Sequence, residues 1–529
     1  MANYTNPGVY VSESTLVNNV QRANTAQSVA VFIGTAPRGP MTPTLINSWS
    51  GFKAFYGDIT IGNEMGYSVY HYFANGGRDA YIIRTLHTTG AEPRARSAAS
   101  YVNYFPAGSG SSAGASAMFT AVAANPGAWG SNLTITTSSS PAAPSNVTAS
   151  YPMFNVSVKL SGTEVESWNE VSLDPSNNRY ILDVINTYSK YITVSSPAGA
   201  TVGWAIKEDP IADIFTFNAY STPFGSTTVS ASVASNGTDV AVEDYQAAIG
   251  KVDSITGSLL INVPGQTNSS IVTTALNTAE ARGDSFVIID PAASGTTLNG
   301  VTGAISSYPK SSYGAVYYPQ LLMADPTKTG PAAVRNTFPG GAVAGVYMRS
   351  EIARTVAKAP AGYDLDIRNA LGLTGSFTES EAGALYETHN VNLFKSIPGA
   401  GIVINGARTL SKATPAKYIP IRRSLNYLKQ VIKAETAFAV FEPNDERLWT
   451  RINMNVSSLL SDFWRAGGLK GANANQAFYI VCNSTNNTST TINNGEVHVE
   501  VGVALQYPAE FIVINLSQWT GGSNTVSTL

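Results

Sequence analysis

The residues of this chain with chemistry to offer are carboxylates beside strands, a serine between glycines, and four histidines. Asp284 and Asp290 bracket the apolar run Phe286-Val287-Ile288-Ile289. A carboxylate at the carboxyl end of a parallel strand is a usual place for a ligand or a general base. No Gly-x-Gly-x-x-Gly or phosphate loop follows a strand here, and Gly340-Gly341-Ala342-Val343-Ala344-Gly345 has the wrong spacing for one. Asp290-Pro291 therefore reads as a cap and turn. Gly110-Ser111-Ser112-Ala113-Gly114 matches the Gly-x-Ser-x-Gly pattern of hydrolases, but that motif needs a strand before it and a helix after it to strain the serine. Here it lies among small residues with no such frame. His71, His87, His389 and His498 have no second histidine or cysteine at ligand spacing. Glu387 and His389 stand two apart on an expected helix and so face different ways, which leaves no Glu-x-x-His pair for a metal. Glu435 with Glu442, or Asp174 with Asp183, are carboxylates that only a tertiary fold could pair. The reading from these residues is no catalytic site, no metal and no cofactor.

Composition points to packing rather than chemistry. At about 150 residues per domain, 529 residues allow three or four domains. Asp, Glu, Lys and Arg make up 13% of the chain, against roughly a quarter in ordinary soluble domains. The polar surface must then come from Ser, Thr, Asn and Gly, which lose less than unpaired charges when a neighbour excludes water. Such a surface suits a subunit packed among its own copies, and nearly as well a Ser/Thr/Asn-rich β protein with no partner. With 32 basic and 35 acidic residues the net charge is −3, so no attraction to nucleic acid or anionic membrane is expected. Apolar runs such as residues 286–289 and 511–514 fall far short of the ~18 residues of a membrane span. Met1-Ala2-Asn3-Tyr4-Thr5 offers neither a basic nor an apolar leader region, so no signal peptide is expected. Cys482 is the single cysteine, which excludes an intramolecular disulfide and fits a reducing cytoplasm. Asn-x-Ser/Thr matches at Asn132, Asn146, Asn155 and Asn236 are then chance products of composition.

The elements that must position these residues fall into five blocks. Residues 1–27 form an N-terminal arm, with a turn and a short strand over Pro7, Gly8, Val9, Tyr10 and Val11. A lone strand cannot satisfy its own backbone groups, so it pairs with a sheet edge, and the residues alone favour an edge of the same chain. Residues 28–100 open an α/β domain with a buried-type strand at 29–34, helices near 52–56 and 67–73, and a strand at 81–83. Residues 101–245 form an inserted, mainly β domain with a flexible linker at 107–117, strands at 133–135, 156–160 and 191–194, and a helix at 178–189. Residues 246–418 resume the α/β domain with a βαβ unit over 259–289, a helix at 341–358 and a capping box of Thr378 with Glu381. Residues 419–529 form an α+β module. Leu425, Leu428, Val431 and Ile432 stripe its first helix, while Arg423, Lys429 and Lys433 take other faces. Glu442-Pro443-Asn444-Asp445 starts a second helix striped by Leu448, Ile452, Val456, Leu459, Leu460 and Phe463, and Gly467-Gly468 stops it. Val497, Val499, Val501, Val503 and Leu505 then alternate as a strand, and residues 510–516, including Phe511 and Val513, read as another. The Asn/Ser/Thr run 483–494 is expected to be a mobile surface loop. The fold class is multi-domain α/β and α+β, with a largely parallel or mixed sheet in the α/β domain.

Ile421-Arg422-Arg423-Ser424-Leu425, Phe441-Glu442-Pro443-Asn444, Gly468-Leu469-Lys470-Gly471 and Pro508-Ala509-Glu510-Phe511-Ile512, in this order and spacing, resemble the C-terminal domain of contractile phage tail sheath proteins. Pro7-Gly8-Val9-Tyr10-Val11, Phe73-Ala74-Asn75-Gly76-Gly77, Lys358-Ala359-Pro360-Ala361-Gly362, Asn390-Val391-Asn392 and Gly406-Ala407-Arg408-Thr409 are similar to signatures of the same family. The resemblance covers residues 28–84 and about 260–519; the insertion and the 483–494 run depart from it.

That resemblance implies a structural subunit, not an enzyme. It polymerises helically, in stacked rings, around an inner tail tube and contracts from a metastable extended state. Its partners are other copies of itself, the tube protein, and baseplate and tail terminator proteins; it contacts no nucleic acid and inserts in no membrane. Its place is the virion tail, assembled in the host bacterial cytoplasm. It also reverses the preference for the N-terminal strand, which becomes a strand given to a neighbouring subunit. Pro7, Gly8, Val9, Tyr10 and Val11 at one end, and Val497, Val499, Val501, Phe511 and Val513 at the other, become the strand-exchange residues. Arg422, Arg423, Lys429 and Lys433 supply either basic contacts to an acidic tube or an ordinary solvated helix face. A β-rich receptor-binding surface protein and a hydrolase are the alternatives.

Overall fold

The computed structural model describes residues 28–87, 101–105, 116–139, 153–172, 175–195, 215–218, 239–292, 297–330, 333–414 and 416–510. Eight strands of these residues form a mixed sheet. Its order is Gly401–Asn405, Asn392–Ile397, Gly314–Tyr318, Ser285–Ile289, Leu259–Asn262, Val29–Gly34, Ala80–Arg84 and Thr44–Ile46. The six inner strands run parallel, and the strand at each edge is antiparallel to its neighbour. The four central strands, Gly314–Tyr318, Ser285–Ile289, Leu259–Asn262 and Val29–Gly34, are almost wholly apolar and buried, as strands covered on both faces are. Phe32, Ile82, Phe286, Ile288 and Tyr317 face one helical layer, which includes Trp49–Tyr56, Glu64–Ala74 and Gly340–Ala353. Val31, Ile33, Ile261, Val287 and Val316 face the other, with Val242–Gly250, Ser269–Arg282 and Leu298–Ile305. The helix Val242–Gly250 already packs on this sheet, so the α/β part resumes slightly before the boundary at 245 read from the sequence.

Two helices of the first layer approach so closely that only glycine fits between them. A Cβ on Gly341 would lie 2.0 Å from the Ser68 carbonyl oxygen, and one on Gly345 would lie 2.6 Å from that of Tyr72. The glycine run 340–345, with the wrong spacing for phosphate binding, is thus a packing stripe against the helix Glu64–Ala74.

The insertion has its own core, where Leu133, Ile135, Phe154, Val156, Val158, Ile181, Ile185 and Ile192 meet. The strands Leu133–Ser139 and Phe154–Leu160 and the helix Ile181–Tyr188 lie where the pattern placed them; Thr163–Val171 completes the hairpin. Arg84, fully buried at the end of its strand, joins insertion to sheet. It donates to the carbonyls of Ala36, Pro37, Gly39 and, at 2.5 Å, Pro126. Burial among these dipoles pushes its guanidinium pKa down to about 10.

The C-terminal module packs Ile419–Glu435 against Glu446–Arg465, and both against the two-stranded sheet Phe478–Val481 and Glu500–Val503. Asp445 caps the second helix by accepting from the Leu448 N–H at 2.9 Å, and Gly467, at φ 78, ends it. The six apolar residues named for its stripe are buried. The first helix differs from expectation. Its polar face is docked on the α/β domain, where Asn426 donates to the Ser285 carbonyl at 2.8 Å and Arg422 donates to the Tyr313 hydroxyl at 3.2 Å. Arg423 pairs with Glu351 at 2.5 Å. Over residues 419–428 both faces of this helix are therefore interior, one apolar and one polar. Nor is 483–494 a loose loop. Asn487 is buried, accepts from the His498 N–H and donates to the His498 carbonyl, and Ser489–Asn493 is a short helix.

Two outcomes follow from this packing. Gly341→Ala should cost about 1–3 kcal/mol, because its methyl meets backbone that cannot yield. Gly303→Ala, in the helix Leu298–Ile305 with open space around it, should gain about 0.5–1 kcal/mol; urea midpoints of the two variants check this. His71, fully buried and with no hydrogen-bond partner for either ring nitrogen among the described residues, has its pKa pushed down to about 4 by burial and by nearby Arg335, against the opposing effect of Asp325. Between pH 6.5 and 4 the unfolded chain takes up a proton that the folded chain refuses. His71 therefore costs the fold up to roughly 3 kcal/mol as pH falls through that window, at about 1.4 kcal/mol per pH unit. His71→Phe should remove this acid loss, measured as the difference in unfolding midpoint between pH 7.5 and 4.5.

Candidate assembly surface

Asp290 is the place where the fold comes nearest to a catalytic arrangement. It ends a central parallel strand, is buried, and accepts from the Gly340 N–H at 2.7 Å, the Gly265 N–H at 3.0 Å and the Asn262 amide at 3.4 Å. Burial pushes its pKa up to about 6, against the pull of those donors. The crevice is occupied, however. A Cβ on Gly340 would lie 2.3 Å from the Asn262 amide nitrogen and 2.6 Å from Asp290 Oδ1, so the helix Gly340–Ala353 plugs the position a ligand would take. Asp290 holds a helix start. Asp284 is likewise engaged, by Arg282 at 3.1 Å and the Ser285 hydroxyl at 2.8 Å. Among the described residues no three His, Cys, Asp or Glu side chains gather as a metal site, and no helix is long and apolar enough to cross a membrane.

The features suited to association lie in the C-terminal module. Phe478–Val481 and Glu500–Val503 pair antiparallel, with Ile480 opposite Val501, and among the described residues no third strand joins their sheet. The Val481 carbonyl accepts from Asn486 Nδ2, and Leu469 bridges Leu505 just past the second strand; a sheet edge that no further strand covers is a template for one. Val497, Val499 and Val501, taken from the sequence as residues to be given away, pack partly against the module's own core. Val501 is held in its own chain's sheet, because its alternation buries one face at home. Pro7, Gly8, Val9, Tyr10, Val11, Phe511 and Val513 lie outside the described residues.

The proposed tube-facing set divides. Arg422 and Arg423 are in the interior, which corrects the expectation of a basic outer face: the helix is clasped between two bodies, and only docking satisfies its polar side. Lys429 is half-buried and Lys433 is exposed.

Three residues matter more than the pattern suggested. Arg408 is 1% exposed and lies 3.8 Å over the Tyr386 ring. It grips Glu510 through Nη2 at 2.7 Å and Nε at 3.2 Å, and Glu387 at 2.9 Å. Asn392 holds the backbone of Arg408 from both sides, at 2.8 Å each. Phe441, in the turn between the two helices, has a left-handed φ of 68 and is 88% exposed, a strained presentation for a bulky ring. A signal existed for Arg408 and Glu510, since both lie in the quoted signatures, yet nothing in sequence joined residues 102 apart.

Residues 411–518 match the phage tail sheath C-terminal domain family. Tail sheath proteins of Vibrio phage KVP40 and Enterobacteria phage T4 are 25% identical over 177 residues and 23% identical over 184, about a third of this chain in each case. The chain spans about a quarter of the length of these curated relatives, 25% and 27%. Solved folds match far more widely. A sheath tail protein from Listeria innocua superposes with TM-score 0.59 at 10% identity, covering 92% of this chain and 96% of that one. The helical sheath of the anti-feeding prophage in its contracted state gives 0.55 at 18% identity, over 98% and 100%. The contracted PVC sheath of an extracellular contractile injection system gives 0.54 at 20%, over 98% and 99%. This chain thus carries a phage tail sheath C-terminal domain at residues 411–518 and has, over nearly its whole length, the fold of contractile sheath proteins.

Proposed function

We propose that the chain is a structural subunit of a contractile tail sheath, not an enzyme. The observation that carries this is the join of a sheath-type fold to a C-terminal sheet that, among the described residues, has two strands and no third. Subunits polymerise helically around an inner tube. The strand of residues 7–11 and a C-terminal strand over 511–516 extend the sheets of neighbouring copies, so that subunits are tied by backbone hydrogen bonds. Such ties survive large rigid-body rotations because the polar segments beside them absorb the change. Contraction then runs from a metastable extended lattice to a better-packed one and drives the tube through the target envelope, with no nucleotide required. Baseplate and terminator proteins cap the cylinder, and the particle is a virion tail assembled in the bacterial cytoplasm. A surface with 13% charged residues favours this lattice life, since little desolvation is spent on each contact. A hydrolase acting through Asp290 would need room beside it, and the start of the helix Gly340–Ala353 closes that space.

Negative-stain microscopy of the purified chain should reveal hollow striated cylinders. Deleting residues 1–15 should leave a folded monomer, with unchanged circular dichroism and thermal midpoint, that forms none. Cylinders of normal length from the truncated chain contradict strand donation.

A further inference from the structure

We propose that two buried arginines on one connecting segment clamp Ser28 and Glu510, which adjoin the two terminal segments, and that these clamps pass tension from those segments into the fold. The inference rests on the sheath reading above and goes beyond it to the residues that hold the subunit against pulling. At the N-terminal end, Ser28 is buried and donates its backbone N–H to Glu351 Oε1 at 2.9 Å. Its hydroxyl accepts from Arg423 Nη2 at 3.2 Å, and the same nitrogen pairs with Glu351 Oε2 at 2.5 Å. At the C-terminal end, the Glu510 carboxylate accepts from Arg408 Nε and Nη2 and from the Tyr386 hydroxyl. Tyr507, three residues earlier, meets Tyr418 edge-on at 5.8 Å. Residues 1–27 and 511–529 adjoin these anchors directly in the sequence.

The two clamps share a frame. Arg408 bridges Tyr418, the Thr409 N–H donates to the Lys417 carbonyl at 2.8 Å, and the Ile419 N–H donates to the Ala407 carbonyl at 2.9 Å. The helix Ile419–Glu435 starts from that ladder, and Arg423 is in its first turns. Force on Glu510 therefore reaches Ser28 through a short hydrogen-bonded hairpin and the first turns of one helix. Stability alone does not call for this chemistry. A buried ion pair often does no better than apolar side chains of equal volume. What several parallel charge-assisted bonds provide is a fixed point: under a pull along the chain they must break together, whereas an apolar contact slides. Each anchor also leaves its arginine bonded to the folded body by other groups, Tyr386 and Glu387 for Arg408 and the Tyr347 ring for Arg423 at 4.7 Å.

The test is single-molecule pulling on the full chain through handles at Asn3→Cys and Thr528→Cys. Cys482 is buried with its thiol pushed up to about 11, so it does not compete for the label. Wild type should hold residues up to 510 in place until the body unfolds. Glu510→Gln and the milder Tyr386→Phe should add an early, low-force step in which a few residues peel away at about 3.5 Å each. Glu351→Gln should do the same at the other end, while Lys433→Glu leaves the trace unchanged. Circular dichroism confirms that each variant pulled is folded; Tyr386→Phe, which keeps the ion pair, serves if Glu510→Gln does not fold. Traces identical to wild type in the clamp variants overturn the inference. In parallel, cylinders of clamp variants should come apart at lower urea than wild type. Early peeling with cylinders of wild-type resistance refutes the role in the lattice, and a wild type that forms no cylinders refutes the sheath reading while the pulling result still decides the anchors.

Discussion

A guanidinium moved out of water must find acceptors where it stops, because the cost of an unpaired buried charge exceeds what any local packing returns. Three arginines meet that condition at the three joints of this molecule. Arg84 gathers the carbonyls of the loop after the first strand and of Pro126, and so fixes the insertion to the sheet. Arg423 meets Glu351 and docks the long helix of the C-terminal module. Arg408 meets Glu510 and returns the chain to the α/β domain after the two-stranded sheet. In a chain so poor in charge, each of these placements sets the relation between two bodies.

Between the joints, the body is a doubly covered, largely parallel sheet of a kind that elsewhere binds nucleotides at the carboxyl ends of its strands. Here that end is closed. Asn262, Asp290 and the start of the helix Gly340–Ala353 interlock at distances that admit no side chain, and Gly341 and Gly345 let the helix sink against its neighbour. The architecture is kept while the crevice is given up to packing, so function has to be sought on surfaces and edges. The edges of Phe478–Val481 and Glu500–Val503, which no third strand covers among the described residues, are the natural candidates, because sheet edges recruit strands through backbone groups whatever their side chains.

The family motifs acquire physical roles in this frame. Asn444 of Phe441-Glu442-Pro443-Asn444 accepts from the Trp449 indole at 2.8 Å and donates to the Glu496 carbonyl at 2.9 Å, tying the helix start to the approach of the last strand. Gly406 is small because Asn392 and Tyr386 lie within 2.8 and 2.9 Å of where a Cβ would stand. Asn390, at φ 55, ends its helix in the left-handed conformation that asparagine tolerates.

Periodicity and caps by themselves determined the second helix of the C-terminal module, the alternation of strands and helices in the α/β domain, the capping box at Thr378 and the existence of a β insertion. These depend on contacts between near neighbours, which a sequence pattern records directly. Composition likewise bounded the function by removing nucleic acid and metal chemistry from the expectations. Tertiary structure alone decided which polar residues are interior. Arg423 and Lys433 share a helix and a charge, and only the position of Glu351, 72 residues away, buries one and leaves the other in water. The strand over Val501 stays at home for the same reason: whether an alternating segment is kept or given away depends on the sheet it meets, and its own period of two is the same in both cases.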